Sequence, residues 1–374
     1  MHLRGKLISS IWNSSINIAG VSVKNRIAFP PLSGNWALDD GSVSKKIIKF
    51  YECIAQGGVG MVVVAGAAVS REGMGCDHSL CLYNKAHLDG YRQLSKTIKE
   101  GNCLSILQLM HVGGQGNPAF NGCTPVSPSG IKSKALGFET KELTPNEITE
   151  IRDKFIRSAM LANQAGFDGI ELHLAHGYLL HEFISKHSNK RKDEYGGNIK
   201  NRLRIIFEII SEIKKKRPRF IIGARVSGED YLENGINEEV NKNSLPWIEK
   251  AGIDYFSVTA GTYETSRFKH QAMEKGDFFK YSSTIKSIVK KPVIGVGKIL
   301  NLDMAEEQLK NKTCDMVAIG RGLITDPALI KKVLNGEEHI ECTECDECSY
   351  LRFGKTELNC PLNEITCLNE EEFL

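Results

Sequence analysis

The segment "GIELHLAHGYLLHEF", residues 169–183, places imidazole and phenol side chains close together along the chain. His173, His176 and Tyr178 come at or just after the end of a short apolar run, which predicts a buried strand followed by a loop. Side chains of these types could hold a metal ion, transfer a proton or form a polar turn. A zinc site would need a further histidine or carboxylate, and the upstream sequence indicates none. Zinc is therefore disfavoured, and the segment alone does not decide between the other two.

Two glycine-containing turns follow apolar runs in the last third of the chain. The segment "IGVGKI" contains Gly297 and Lys298, and the segment "AIGRGL" contains Gly320 and Arg321. Backbone N–H groups at strand-to-helix turns bind phosphate groups, and neighbouring cations strengthen such a site. The alternative is that these glycines only permit tight turns. The two turns together favour a phosphate ligand.

Two polar residues, Gln108 and Arg225, stand within apolar runs that predict buried strands. An amide offers both a donor and an acceptor, which suits a ring that carries an N–H beside a carbonyl, such as a flavin pyrimidine. A guanidinium would stabilise the negative charge that a reduced flavin carries near N1. Each residue also has a structural alternative. Arg225 could pair with Glu229 or Asp230, and Gln108 could bond loop backbone.

The composition excludes several classes of protein. The chain has 374 residues, a net charge of +3 and 41% hydrophobic residues, as globular proteins do. The basic run "KKKRPR", residues 214–219, is predicted to end a helix, so nucleic-acid binding is not expected. The sequence contains no apolar run of about 18 residues, so no membrane span is expected. The N-terminus lacks the apolar core of a signal peptide, and the eleven cysteines are predicted to be reduced thiols in the cytoplasm.

Short β-branched runs alternate with longer amphipathic segments along the chain. The predicted strands are Arg26–Phe29, Met61–Ala65, Leu104–Leu109, Gly169–Leu172, Ile221–Val226, Tyr255–Val258, Val293–Val296 and Asp315–Ile319. The predicted helices include Ser44–Gln56, His87–Glu100, Pro145–Ala165, Asn198–Lys216, Asn241–Ala251 and Met304–Asn311. Because the strands are continuously apolar, both of their faces are expected to be buried. Their number and a span of roughly 300 residues favour an α/β fold of the (β/α)8 TIM-barrel type over a doubly wound sheet.

The active site of such a barrel lies at the carboxyl ends of its strands. Residues 1–337 are assigned to the barrel, and residues 338–374 to a short cysteine-rich C-terminal extension. The segment "INIAGVSVKN" alternates in polarity around Gly20, which predicts an N-terminal hairpin over the barrel floor. Two long loops, 111–143 and 262–277, are expected to help build the site.

Six segments carry a resemblance to a known family, in family order over residues 15–335. They are "KNRIAFPPLS", "GGVGMVVVAGAAV", "QLMHVGGQG", "GFDGIELHLAHGYLLHEFISKHSNKRKDEYGGNIKNRL", "GARVSGEDY" and "KPVIGVGKI…DMVAIGRGLITDP". The chain resembles the old yellow enzyme family of FMN-dependent ene-reductases, or NADH:flavin oxidoreductases. It also resembles the barrel domains of 2,4-dienoyl-CoA reductase and trimethylamine dehydrogenase. The segment with "HGYLLHEF" is the longest and most specific of the six.

The resemblance implies catalytic roles for the first segment. His173 and His176 match residues that hydrogen-bond the carbonyl oxygen of an α,β-unsaturated substrate and withdraw charge as hydride arrives. Tyr178 matches the residue that gives a proton to the α-carbon, and a phenol with a pKa of about 10 stays protonated at neutral pH. His181 matches no family role and is expected on the helix surface.

The resemblance also implies an FMN site. Its residues would be Pro30, Pro31, Leu32, Ser33, Gly66, Gln108, Arg225, Gly297, Lys298, Gly320 and Arg321. Ser33 occupies a position where relatives hold Thr or Cys near flavin O4, and Gly66 would approach the ring closely. Gln108 would contact the pyrimidine, and Arg225 would face N1 and O2.

Two departures from the family pattern affect this interpretation. The family motif "HxGR" is "HVGG" here, with Gly114 in place of arginine. Where some relatives place a substrate-side tyrosine soon after Ser33, this chain has Asn35 and Trp36. The substrate preference of relatives is therefore not transferred.

Four cysteines near the C-terminus, Cys342, Cys345, Cys348 and Cys360, have a spacing typical of metal ligands. Larger family members carry a [4Fe-4S] cluster directly after the barrel, with a second gap that is usually one residue longer. Those relatives continue into FAD and NAD(H) domains, whereas this sequence contains no G-x-G-x-x-G motif and would lack that electron source. An iron–sulfur cluster, zinc and free thiols stay open as alternatives.

The resemblance implies an oxidoreductase that holds FMN, is reduced by NADH or NADPH, and transfers hydride from flavin N5 to the β-carbon of an enone or enoyl substrate. One alternative is a flavin barrel that dehydrogenates or demethylates amines and passes electrons to an iron–sulfur cluster. A non-catalytic phosphate-ligand binder is another, and the intact His173, His176 and Tyr178 argue against it. No nucleic-acid or membrane partner is expected, and the sequence is compatible with a homo-oligomer.

Overall fold

Eight parallel strands form a closed barrel in the computed structural model, which describes residues 10–265, 274–349 and 356–372. In chain order the strands are β1 (Ile16–Ile18), β2 (Val21–Val23), β3 (Ile27–Phe29), β4 (Met61–Ala68), β5 (Leu104–Met110), β6 (Val126–Ser127), β7 (Lys141–Glu142), β8 (Gly169–Leu174), β9 (Ile221–Ser227), β10 (Tyr255–Thr259), β11 (Val293–Gly295) and β12 (Met316–Ala318). The barrel runs β3-β4-β5-β8-β9-β10-β11-β12, and β12 pairs with β3 to close it. The predicted (β/α)8 barrel is confirmed.

Helices follow the barrel strands and cover the outside of the barrel. They are Lys45–Gln56, Leu88–Glu100, Pro118–Asn121, Pro145–Gln164, Leu179–Ile184, Ile199–Arg202, Arg204–Lys216, Glu238–Ala251, Phe279–Ile288, Leu302–Lys310, Arg321–Thr325, Leu329–Asn335 and Glu364–Cys367. Ser44 accepts the Ile47 N–H and caps the first of these helices. Thr144 and Glu147 form a capping box at the helix that Pro145 begins. Within the described ranges, no helix is both long and apolar enough to cross a bilayer.

One predicted helix differs from the structure. The segment 198–216 forms two helices rather than one, because the chain breaks between Ile199–Arg202 and Arg204–Lys216 at Leu203. The lysine run does end a helix, as predicted, with Lys214 to Lys216 in its last turn. Cations in this position interact favourably with the helix dipole.

The predicted N-terminal hairpin is confirmed and closes the floor of the barrel. Strands β1 and β2 pair antiparallel, and Ala19 and Gly20 between them have φ angles of 51° and 89°. Two left-handed residues are typical of a tight hairpin turn. Ile18 and Val23 are buried in one cluster with residues from the amino ends of the barrel strands, such as Met61. The floor is therefore an apolar plug, which leaves the opposite end for chemistry.

The long loop 111–143 carries short elements that were not predicted. It contains the helix Pro118–Asn121 and the strands β6 and β7, which pair in parallel. The other long loop, 262–277, is described only at 262–265 and 274–277, and its middle lies outside the described residues.

The C-terminal extension packs on the loop that follows β3. The Leu358 N–H donates to the Gly34 carbonyl at 2.9 Å, and the Trp36 indole N–H donates to the Leu358 carbonyl at 3.2 Å. The Asn35 side-chain amide donates to the Thr356 carbonyl at 2.7 Å. Asn35 and Trp36, which depart from the family pattern, therefore hold the extension.

The extension also contacts helices of the barrel. The Glu370 carboxylate accepts the backbone N–H groups of Lys45 and Lys46, at 2.6 and 3.0 Å, where negative charge suits a helix N-terminus. The Asn363 side chain donates to the Ile324 carbonyl at 2.6 Å. Leu358 is buried in the main hydrophobic cluster of the barrel.

Candidate active site

The residues predicted for the site lie at or just after the carboxyl ends of seven of the eight barrel strands. They are Pro30, Pro31, Leu32 and Ser33 after β3, Gly66 in β4, Gln108 in β5, His173, His176 and Tyr178 at β8, Arg225 in β9, Gly297 and Lys298 after β11, and Gly320 and Arg321 after β12. The remaining strand, β10, ends at Thr259. Since the ends of parallel barrel strands meet at one rim, the structure brings these residues to the same end of the barrel.

His173 and His176 face each other, with 3.2 Å between Nε2 of His173 and Nδ1 of His176. Burial, reinforced by the charge of Arg225, holds the pKa of His173 well below its usual value, so the imidazole is neutral at pH 7. Its Nδ1 accepts the Ala175 N–H at 3.3 Å, which assigns its proton to Nε2. His173 is therefore a hydrogen-bond donor and not an acid at neutral pH.

His176 is held by its backbone and by its second ring nitrogen. Its φ of 62° lies in the left-handed region that few non-glycine residues adopt, and its backbone pairs with Thr262. Its Nε2 lies 3.0 Å from Oγ1 of Thr259, which is buried at the end of β10. Thr259 was not predicted as a site residue, because the residues around it form no motif.

Tyr178 lies beside both a histidine and a second phenol. Its ring centroid is 4.7 Å from that of His173, and its hydroxyl oxygen is 3.1 Å from that of Tyr263. Burial raises the pKa of Tyr263, so this phenol is protonated at neutral pH. Tyr263 follows β10 and is another site residue that was not predicted.

Gly66 leaves room beside the polar end of Gln108. The register between β4 and β5 shifts at this glycine, an irregularity common near active sites. A Cβ added to Gly66 would lie 2.7 Å from Sδ of Met110 and 3.1 Å from Oε1 of Gln108. Ser33 and Gly66 line the same cavity. The glycine thus permits a planar ligand to approach the backbone closely.

Arg225 has a buried nitrogen atom, Nη1, that could bind a ligand. The side chain is only 8% exposed, and its Nη1 has no hydrogen-bond partner among the described residues. A buried N–H group without an acceptor costs about 1–3 kcal/mol. Its acidic neighbours in sequence bond elsewhere, since Glu229 accepts the Tyr231 N–H and Asp230 accepts from His181. Arg225 therefore fits a role in binding an electron-rich edge of a ligand.

The two glycine-containing turns are in direct contact. A Cβ added to Gly322 would lie 2.1 Å from the Leu300 carbonyl oxygen, so only glycine fits there. Gly320 is the N-cap of the helix Arg321–Thr325 and accepts the N–H groups of Leu323 and Ile324, so only those of Arg321 and Gly322 in its first turn lack a partner within the helix. Arg321 itself donates to Asp346 of the extension at 3.2 Å. Arg321, which was predicted to bind the phosphate, thus also connects the barrel to the cysteine segment.

The expectation that His181 lies on the helix surface was wrong. His181 is only 2% exposed, and its Nε2 lies 3.0 Å from Oδ1 of Asp230. Asp230 also accepts the Ser227 hydroxyl at 2.7 Å and the Ile236 N–H at 2.6 Å. These contacts, led by the charge of His181, outweigh burial and lower the pKa of Asp230. The pair joins the helix Leu179–Ile184, which follows β8, to the loop after β9.

The glycine that replaces the family arginine packs against a buried carboxyl group. The Gly114 N–H donates to Glu182 at 3.1 Å, and a Cβ on Gly114 would lie 2.6 Å from Oε1 of Glu182. Burial raises the pKa of Glu182 well above its usual value. The loop therefore has no room for a larger residue at this position without rearrangement.

Comparison with known proteins decides the family. A model of the NADH:flavin oxidoreductase / NADH oxidase family matches residues 14–339. The chain belongs to this family. The matched range contains the barrel and the residues at its carboxyl end, and it stops before the four cysteines of the extension.

Three relatives illustrate this membership of the NADH:flavin oxidoreductase / NADH oxidase family. The chain is 35% identical over 358 residues to an NADH oxidase from Thermoanaerobacter brockii, covering 93% of this chain and 55% of that protein. It is 35% identical over 319 residues to an NADPH dehydrogenase from Clostridium acetobutylicum, covering 84% of this chain and 91% of that protein. The structure of a 2-naphthoyl-CoA reductase complexed with 2-naphthoyl-CoA matches with a TM-score of 0.90 and 28% identity, covering 97% of this chain and 58% of that chain. The chain thus spans little more than half of the longer relatives.

The cysteine segment of this family member encloses a small cavity. None of the eleven cysteines forms a disulfide bond in the structure. Four cysteines line this cavity together with Arg321; they are Cys342, Cys345, Cys348 and Cys360. Burial raises the pKa of Cys348 to about 11. In the described part of the chain, no three ligating side chains are close enough to hold a metal ion.

Proposed function

We propose that this protein binds FMN at the carboxyl end of its barrel, takes reducing equivalents from NADH or NADPH, and reduces the C=C bond of an α,β-unsaturated carbonyl compound. Family membership supports the flavin and the nicotinamide. The relative named 2-naphthoyl-CoA reductase, which was solved with its acyl-CoA, supports a conjugated carbonyl substrate. Bound FMN would supply hydride transfer, first from the nicotinamide and then to the β-carbon.

The residues present fit the cofactor. Gly66 offers the close approach that a flat ring needs, and the unpartnered Nη1 of Arg225 offers a donor to its electron-rich edge. Gln108 would contact the pyrimidine, and Ser33 would lie near O4. The phosphate would be held at the paired turns that contain Gly297, Lys298, Gly320 and Arg321.

His173 would activate the substrate. Its neutral ring donates through Nε2, and a carbonyl oxygen that accepts this hydrogen bond loses charge as hydride reaches the β-carbon. His176 would add a second hydrogen bond from Nδ1 when its Nε2 accepts the Thr259 hydroxyl. Both rings are held in place before substrate binds, which lowers the cost of orienting them.

Tyr178 would give a proton to the α-carbon. Its hydroxyl group contacts Tyr263, and two phenols in contact can pass a proton along their shared hydrogen bond. The single observation that carries the proposal is this set of three donors, His173, His176 and Tyr178, at the rim that also contains Arg225, whose Nη1 has no partner among the described residues.

The four cysteines are proposed as a metal site separate from the ene-reductase chemistry. Their spacing and their shared cavity support this proposal, with an iron–sulfur cluster or zinc as the occupant. The division into a barrel, 1–337, and a cysteine-rich extension, 338–374, stays part of the proposal. So does a cytoplasmic location, where cysteines outside disulfide bonds are usual.

An anaerobic titration tests the function. Purified protein supplemented with FMN should be yellow, lose its flavin absorbance on addition of NADH or NADPH, and regain it on addition of 2-cyclohexenone. A protein that stays colourless after supplementation would overturn the proposal. Bleaching by an amine, with no response to either nicotinamide, would favour amine dehydrogenation instead.

A further inference from the structure

Glu171 is a buried carboxylate that the proposed reaction does not use. It lies within β8, two residues before His173, and is fully buried. Gln108 Nε2 donates to its Oε1 at 2.8 Å, and the Tyr255 hydroxyl donates to its Oε2 at 3.0 Å. Both oxygens therefore have a partner inside the barrel, which is what a buried charge requires.

The packing around Glu171 depends on a glycine in the neighbouring strand. Gly223 of β9 pairs with Glu171 on one side and with Tyr255 on the other. A Cβ on Gly223 would lie 2.0–2.4 Å from atoms of the Tyr255 ring. The phenol can cross β9 to reach Glu171 only because this position has no side chain. The contact is thus built into three adjacent strands.

Glu171 is also the counter-charge of Arg225. Burial lowers the pKa of Arg225, and the charge of Glu171 opposes that effect. Burial likewise raises the pKa of Glu171, and the charge of Arg225 opposes it. The Nη1 of Arg225 donates no hydrogen bond to a described residue. The attraction between the charges of Glu171 and Arg225 therefore leaves Nη1 available to a ligand.

The carboxylate fixes which way the Gln108 amide points. An ionised carboxylate only accepts hydrogen bonds, so Gln108 must turn its Nε2 toward Glu171. Its Oε1 then points toward Gly66, where an added Cβ would lie 3.1 Å from it. An acceptor in this place suits the N–H of a flavin imide.

We propose that Glu171 is a positioning residue that orients the Gln108 amide for the flavin pyrimidine and, as the counter-charge of Arg225, holds the reduction potential of the bound FMN down. The inference rests on the proposed function, since it requires FMN over Arg225. Without the negative charge, Arg225 would stabilise the anionic reduced flavin more strongly, and the potential would rise.

Two variants of the full chain separate the effects on charge and on orientation. Glu171→Gln keeps the shape and removes the charge, and it should shift the two-electron equilibrium about tenfold toward reduced FMN, or about 30 mV. Glu171→Asp keeps the charge and withdraws the oxygens from Gln108, so FMN affinity should fall about tenfold. The equilibrium between oxidised and reduced FMN should change less than twofold. The readouts are spectroelectrochemical potential and FMN fluorescence quenching. Glu182→Gln, the same change at another buried carboxyl group, is the matched control and should alter neither.

The outcomes distinguish this inference from the proposed function. A wild-type protein that binds no FMN would overturn both. A wild-type protein that binds FMN, with a Glu171→Gln potential equal to that of the Glu182→Gln control, would overturn only the role of Glu171. If Glu171→Gln does not fold, Glu171→Asp still decides, because a tenfold rise toward reduced FMN in a variant that retains the charge contradicts the inference.

Discussion

The imidazoles of His173 and His176 share one hydrogen bond, with 3.2 Å between Nε2 of the first and Nδ1 of the second. Because His173 carries its proton on Nε2, the Nδ1 of His176 acts as the acceptor in this pair. A carbonyl oxygen can receive hydrogen bonds from both rings only if His176 moves its proton to Nδ1. In that tautomer Nε2 of His176 carries no proton and accepts a hydrogen bond from the Thr259 hydroxyl. Thr259 thus controls which donor the pair presents.

Replacing Thr259 by valine should therefore weaken substrate activation. Valine keeps the volume but removes the hydroxyl, so we expect kcat/KM for an enone to fall about tenfold, or about 1.4 kcal/mol. Reduction by NAD(P)H should be unchanged, because hydride transfer from the nicotinamide to the flavin places no developing charge on a substrate carbonyl oxygen. Thr284→Val is the matched control, since the Thr284 hydroxyl donates to the Lys280 carbonyl within its own helix. Equal losses in both half-reactions would contradict the role of Thr259.

Replacing Tyr178 by phenylalanine should slow substrate reduction by about 100-fold, because a general acid typically contributes at least that much. Flavin reduction by nicotinamide should be spared, and stopped-flow absorbance separates the two steps. Tyr263→Phe should slow only the substrate step, and by less, since Tyr263 acts through Tyr178. Tyr281→Phe disrupts a different phenol pair, Tyr231–Tyr281, and should change neither rate. If Tyr178→Phe slowed both steps alike, it would not be the proton donor.

Metal analysis of two cysteine variants should decide the role of the extension. We expect the wild-type protein, reconstituted anaerobically with iron and sulfide or with zinc, to bind metal in stoichiometric amounts. Cys345→Ser should lose that metal, because Cys345 lines the shared cavity. Cys367→Ser changes an exposed thiol outside the four-cysteine set and should retain it. Equal metal content in both variants would show that Cys345 is not a ligand. If the wild-type protein bound no metal, the four cysteines would be free thiols.

Acid should destabilise the protein through His111. Burial lowers the pKa of this histidine to about 4, whereas an unfolded chain has a histidine pKa of about 6.5. Between these values the unfolded state binds the extra proton, so stability falls as pH falls, by a few kcal/mol over the window. His111→Gln can still accept the Gly113 N–H and should remove this dependence. Urea unfolding between pH 6.5 and 4.5 measures it, and an unaltered slope in the variant would exclude His111 as its source.

The barrel could be predicted from sequence because its strands are continuous apolar runs. The strand ends were harder to predict, since β4 and β8 continue through polar or small residues such as Gly66 and His173 to reach the rim. These residues interrupt the apolar pattern but lie on the inner face of a closed barrel. The pattern of hydrophobic residues therefore predicts where such a strand lies, but it does not predict well where the carboxyl end with the site residues lies.

The site residues that sequence reasoning did not find share one property. Thr259 lies 83 residues from His176, Tyr263 lies 85 residues from Tyr178, and Glu171 lies 63 residues from Gln108. Their roles come from contacts between strands that are distant along the chain, so no local spacing marks them. His181 was misjudged for the same reason, because its partner follows 49 residues later.

The extension ties two distant parts of the rim together. It holds the loop of Gly34 and Trp36 beside Ser33 through Leu358, and it holds the helix Arg321–Thr325 through Asn363. A shortened polypeptide that ends near residue 337 would keep every barrel strand and still lose the contacts that hold the loop beside Ser33 and the helix that begins at Arg321. Protein expressed for FMN binding should therefore include the extension through residue 372. Loss of flavin from a truncated variant would not show that the full-length protein fails to bind it.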